Sequence, residues 1–132
     1  MSEPILYLDR STIRSPDLAR LRAAVADLTE FVRVSEPQLL FYGFEIDEPT
    51  ATMRVVAVHP DGASLATHLG VGGPGFRRVG EFIELQQIDV FGRPTADVVE
   101  RLQQKAAILG THASVSVHEF ASAFERLSTL RP

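Results

Sequence analysis

Between Ile5 and Phe91 the apolar positions change period in a set order: strand-like, helix-like, strand-like twice, helix-like and strand-like again. That order constrains the chain more than any motif, because each period commits a segment to one backbone geometry. Ile5 to Ile13 is the first strand, with Ile5 and Tyr7 on one face and Leu6 and Leu8 on the other. Ser15-Pro16-Asp17 then reads as a helix start, supplying a capping hydroxyl, a proline at the first helical position and an acid at the positive end of the dipole. Leu18, Leu21, Val25, Leu28 and Val32 give the helix an apolar stripe that ends at Pro37.

Gln38 to Asp47 reads as a strand with Leu40, Tyr42, Phe44 and Ile46 on one face and Leu39, Phe41 and Gly43 on the other. Glu48-Pro49-Thr50 is turn chemistry, so Ala51 to His59 pairs with it as a hairpin. His59-Pro60-Asp61-Gly62 stops that strand. A second helical region is predicted from Ala63, broken across Gly70 to Gly75 and resumed from Phe76 to Phe82, before a fourth strand over Glu84 to Phe91.

This is the split β-α-β order of ferredoxin-like α+β folds, an antiparallel sheet with helices on one face. The other face needs cover. Apolar residues on both faces of the Gln38 strand predict that a second copy provides it, as a homodimer. Beyond the core over 5–91, an extension is expected over 95–130: Thr95 caps a helix over Ala96 to Leu109 with Gly110 at the C′ position, Ala113 to Phe120 is a half-exposed strand, and Ala121 to Leu130 is a short terminal helix. The whole of 1–132 is read as one domain, and the chain is long enough to build one core.

Composition excludes several function classes. A net charge of −4 and an acidic isoelectric point near 5.5 oppose a nucleic-acid partner, which needs clustered positive charge. With no cysteine, thiolate nucleophiles, disulfides and zinc–thiolate sites are impossible. There is no signal-like N-terminus and no apolar run of membrane length, so no membrane partner and a cytoplasmic location are expected.

The stretch Val55-Val56-Ala57-Val58-His59-Pro60-Asp61-Gly62-Ala63-Ser64-Leu65-Ala66-Thr67-His68-Leu69, running on to Phe76-Arg77-Arg78-Val79, resembles the antibiotic-biosynthesis-monooxygenase-like family of the dimeric α+β barrel group. That family includes quinol monooxygenases and anthrone oxygenases that work without a cofactor. The resemblance implies a dimeric barrel, a small aromatic substrate, no cofactor, and a ligand-facing histidine at His68. The chain departs from the pattern where the family's strand-end Glu-x-Trp is Ala57-Val58-His59, and where Gly72-Gly73-Pro74-Gly75 stands at the second histidine of the loop.

His68 and His59 are the candidate catalytic residues, because imidazole titrates near neutral pH and can take a proton from a phenol. The same side chains are equally suited to structural hydrogen bonding, and an imidazole can also serve as an axial haem ligand. Tyr42, Phe44, Met53 and Phe82 are candidates to line an apolar substrate pocket, and Arg77 to bind an anionic group. The four histidines lack metal-ligand spacing, so no metal is expected. Gly70 to Gly75 matches the letters of a dinucleotide fingerprint, but the glycines follow a helix, where the pyrophosphate site requires a strand before them. The alternative to an enzyme is a dimeric module that binds a small apolar ligand or a protein partner without catalysis.

Overall fold

The computed structural model describes residues 3–71 and 73–127. Five strands, β1 (Ile5–Ile13), β2 (Phe41–Asp47), β3 (Thr52–His59), β4 (Ile83–Phe91) and β5 (Ser114–His118), form one sheet in the order β2-β3-β1-β4-β5. The helices are α1 (Leu18–Ser35), α2 (Gly62–Val71), α3 (Gly73–Gly80) and α4 (Ala96–Leu109). β1 pairs antiparallel with both β3 and β4, and β2 with β3, which is the ferredoxin-like unit the periodicity predicts. β5 adds a parallel edge beside β4, reached through α4. The full sheet is therefore mixed, its first four strands antiparallel.

The core lies between the helices and one sheet face. Ile5, Tyr7, Asp9, Ser11 and Ile13 of β1 are all buried on that face, opposite Met53, Val55, Ala57 and His59 of β3. A register shift between Arg10 and Ser11 inserts one extra residue into β4, so Leu85 and Ile88, three apart, both turn toward the helices. Against this face pack Leu21, Ala24, Leu28 and Val32 of α1, Leu65 of α2, and Val98, Leu102 and Ala106 of α4. The face away from the helices carries Leu6, Leu8, Val56, Val58 and Phe91, all partly exposed, and Phe41, which is 56% exposed.

Several boundaries differ from the sequence reading. The cap of α1 is Asp17, whose Oδ1 accepts from the Arg20 amide at 3.1 Å, while Ser15 Oγ accepts from the Asp17 amide, two residues too early to cap. The strand expected from Gln38 begins at Phe41, because Gln38 lies in the turn that leaves α1. α2 continues through Gly70 to Val71 and α3 starts at Gly73, so the expected break narrows to the neighbourhood of Gly72, which lies outside the described residues. A helix over Ala121 to Leu130 is not formed in residues 121–126, where Phe124 is 80% exposed and has no core to pack on; the end of that segment lies outside the described residues.

Gly110 is the C-cap of α4 and not a left-handed C′ residue, with φ at −144°. It is glycine for lack of space. A Cβ there would sit 2.2 Å from the Leu85 carbonyl oxygen and 2.9 Å from the Ala113 Cβ, at the point where the chain turns into β5. Gly110→Ala is expected to lower stability by about 1–3 kcal/mol through displacement of β5 from β4, read as a lower urea midpoint with an unchanged slope. An unchanged midpoint would show that the turn relaxes freely.

Candidate active site

His68 faces the sheet from α2 because it stands one helical turn beyond Leu65 and Ser64, the other two buried positions of that helix. Its imidazole is 3% exposed, and Nδ1 lies 2.8 Å from Oε2 of Glu36, the C-cap of α1, which is 1% exposed. A carboxylate accepts only, so Nδ1 donates in this contact and Nε2 is the nitrogen left to exchange a proton. No described residue hydrogen-bonds Nε2. Edge contacts from Tyr42 and Phe76, each with ring centroids 5.1 Å away, fix the tilt of the ring. A carboxylate-oriented imidazole with a free Nε2 is the arrangement of a general base.

A cavity of about 40 Å³ lies beside it, lined by His68, Tyr42, Phe44, Met53, Asp9, Ser11 and Lys105 among others. It holds about three waters. Haem does not fit there. Next to it, between α3 and α4, runs a wider groove of about 260 Å³ lined by Leu69, Arg77, Arg101 and Ile108. Phe76, Lys105 and Leu109 line both spaces and form the partition between them.

A second polar group occupies the sheet side of the cavity. Tyr7 donates its hydroxyl hydrogen to Asp9 Oδ2 at 2.6 Å, and Lys105 Nζ donates to the Tyr7 oxygen at 2.8 Å while standing 3.9 Å from Asp9 Oδ2. The ammonium also sits over the Tyr7 and Phe76 rings, 4.9 and 5.4 Å from their centroids. Burial pushes the Asp9 carboxyl above its ordinary range against the pull of Lys105 and Tyr7, and burial pushes Lys105 down. Tyr7 is held well above the usual phenol range by burial and by the Asp9 charge, and Tyr42 is raised by burial as well. Both phenols are neutral at pH 7.

The sequence-predicted residues fall in different places. His68, Tyr42, Phe44 and Met53 meet around the inner cavity. Arg77 lines the outer groove. Phe82 is in the core with Arg20 over its ring at 5.7 Å, away from both spaces. His59, at the end of β3, is fully buried behind His68 with its ring centroid 5.6 Å away and is not among the cavity-lining residues. Its Nδ1 contacts Ser64 Oγ at 2.8 Å, and Ser64 in turn is tied through its amide to Asp61 at the start of α2. Burial, then the neighbouring His68, pushes the His59 imidazole down to about 3, so it is neutral at pH 7.

Glu36, Tyr7, Asp9, Ser11 and Lys105 escape motif reading. Three of these five carried a signal in the alternation, since Tyr7, Asp9 and Ser11 continue the buried face that begins at Ile5. Lys105 lies three residues after Leu102, on the apolar stripe of α4. Glu36 carried none, because a glutamate before a proline at a helix end is ordinarily solvated. Among the described residues no group of three or more His, Asp or Glu is arranged to hold a metal, and no helix is long and apolar enough to cross a membrane.

No family model matches the sequence, and no curated protein matches it significantly. Solved structures do match by shape. MupZ from Pseudomonas fluorescens aligns over 97% of this chain and 93% of its own, with a TM-score of 0.71 at 19% identity. SnoaB, a cofactor-independent oxygenase from Streptomyces nogalater, aligns over 72% of this chain and 98% of its own, with a TM-score of 0.59 at 15% identity. An antibiotic biosynthesis monooxygenase covers 65% of this chain and 92% of its own, with a TM-score of 0.55 at 18% identity. The chain is antibiotic-biosynthesis-monooxygenase-like in fold. SnoaB and the third structure align over about two thirds to three quarters of this chain, whereas MupZ aligns over nearly all of it. Within this monooxygenase-like fold, the inner cavity lies between the sheet and all four helices.

Proposed function

We propose that the chain is a cofactor-independent monooxygenase acting on a small phenolic compound of the quinol type, with His68 as the base. The observation that carries this reading is the buried Glu36–His68 pair, which leaves Nε2 open at the inner cavity, beside the wider groove. Nε2 takes the proton of a substrate hydroxyl, and Glu36 stabilises the imidazolium that results. The electron-rich phenolate then reacts with dioxygen. A quinol and dioxygen give a hydroxyquinone and water, so one oxygen atom enters the ring and the other leaves with the two hydrogens lost.

Tyr42, Phe44 and Met53 hold the ring, and an apolar substituent reaches past Phe76 into the groove near Arg77. His59 supports His68 from behind and stays neutral. We assign the partly exposed apolar face of Leu6, Leu8, Val56 and Phe91 to a homodimer contact, in line with the antiparallel unit these strands build. A cytoplasmic location rests on the sequence.

Oxygen uptake with a panel of quinols and hydroxynaphthalenes tests the reading. Uptake that depends on native protein, with one water formed per dioxygen and no hydrogen peroxide released, is the expected result; the absence of turnover across the panel counts against it. A specific observation favours a second reading. The inner cavity is small, with Phe76 and Lys105 between it and the outer groove, which suits retention of a ligand without turnover. Saturable binding of a phenol with no oxygen consumed would favour that alternative.

A further inference from the structure

Two buried oxygen atoms on β1 are without hydrogen-bond partners among the described residues. Asp9 Oδ1 and Ser11 Oγ have no hydrogen bond, although Asp9 is 7% exposed and Ser11 1%. A buried acceptor left unsatisfied is costly, and native proteins leave few of them. Both residues line the inner cavity, two apart on one face of the strand, on the sheet side opposite the helix that carries His68. We propose that Asp9 and Ser11 form a second ligand-binding site in this cavity that recognises a neutral hydroxyl group, so that the ligand carries oxygen functions at two ends. This rests on the reading of the cavity as a ligand site, and not on oxygenation.

Charge decides the ligand class. Lys105 stands 3.9 Å from Asp9 Oδ2, and Tyr7, with its hydroxyl donated to that same oxygen, is neutral. The carboxylate and the ammonium cancel, which leaves no net charge to draw in a cation or an anion. What is left is one charged acceptor and one hydroxyl that can donate. A ligand hydroxyl satisfies both, donating to Asp9 Oδ1 and accepting from Ser11 Oγ. Tyr7 and Lys105 hold the carboxylate in place through Oδ2 and keep Oδ1 aimed away from themselves.

The test compares two ligands of similar size, hydroquinone and 4-methylphenol, by calorimetry under nitrogen, so that turnover does not enter. Native protein is expected to bind hydroquinone about tenfold or more tightly than 4-methylphenol, the range for a hydrogen bond to a charged group. Asp9→Asn keeps the acceptor for Tyr7 and presents an N–H where Oδ1 stood, and Ser11→Ala removes the second contact. Each variant is expected to bring the ratio of the two dissociation constants toward one. Ser11→Ala alone decides the matter if Asp9→Asn does not fold, because the Ser11 hydroxyl makes no bond that folding needs. A ratio unchanged in the folded variants, no preference in the native protein, or no binding of either compound overturns the proposal. Absence of oxygen uptake by the native protein, with the ratio intact, overturns the oxygenase reading alone.

Discussion

Replacing His68 with alanine is expected to reduce kcat/KM for quinol oxygenation by roughly 10²- to 10⁴-fold, the range for loss of a positioned general base. The same substitution is expected to cost roughly 3 kcal/mol of stability, because it strands Glu36 in a dry site. Glu36 is 1% exposed and its Oε1 already has no partner among the described residues, so removing the imidazole leaves the whole carboxylate unsatisfied. The two effects separate by experiment. Urea unfolding gives the folded fraction, and oxygen uptake per folded molecule gives the catalytic loss. Glu36→Gln leaves an oxygen to accept from Nδ1 but removes the charge that stabilises an imidazolium, so it should lose activity while keeping more stability than His68→Ala. Native rates in folded His68→Ala would remove the imidazole from the mechanism.

Acid should unfold the protein partly through His59. Its folded pKa is pushed down to about 3, whereas an unfolded histidine titrates near its ordinary 6.5. The unfolded chain therefore binds the proton first, and the contribution from His59 is fully present above pH 6.5 and is lost as the pH falls toward 3. The slope is about 1.4 kcal/mol per pH unit, so roughly 3 kcal/mol goes between pH 7 and 4 from this one group. His59 is fully buried, so solvent does not screen the effect. The groups that face it are Ser64 and His68, with Asp61 at the turn opposing the shift. His59→Gln is expected to lower stability at pH 7 and to flatten the fall between pH 7 and 4 relative to the native protein. Carboxylates contribute to the acid loss in both proteins, so the difference between the two curves is the quantity to measure. Parallel curves would mean that His59 is protonated within the fold.

The two histidines illustrate how far a sequence pattern reaches into a site. Their types and positions were visible, and so was the turn between them, but their roles depend on partners from other elements. Glu36 reaches His68 from a helix end 32 residues earlier in the chain, and only the tertiary fold brings the two side chains together. The departure at the strand end, Ala57-Val58-His59 in place of an acid and a tryptophan, left the reading without an ionisable partner for the base. In the fold, the acids come instead from α1 and from the middle of β1.

By itself the sequence determined the order of the elements, the antiparallel four-strand unit, the cap at Thr95 and the apolar stripes, because these depend on residues within a few positions of one another. Asp9 and Ser11 continue the alternation that starts at Ile5, although only Ile5 and Tyr7 were read onto that face of β1. Tertiary structure alone decided that β5 runs parallel to β4, that Gly110 is required by the Leu85 carbonyl, and that Lys105 meets Tyr7 across 98 residues of chain. The reason is physical. Periodicity fixes which way a side chain points, whereas the chemistry of a buried charge depends on what is packed within a few ångströms of it, and that comes from segments with no local relation in sequence.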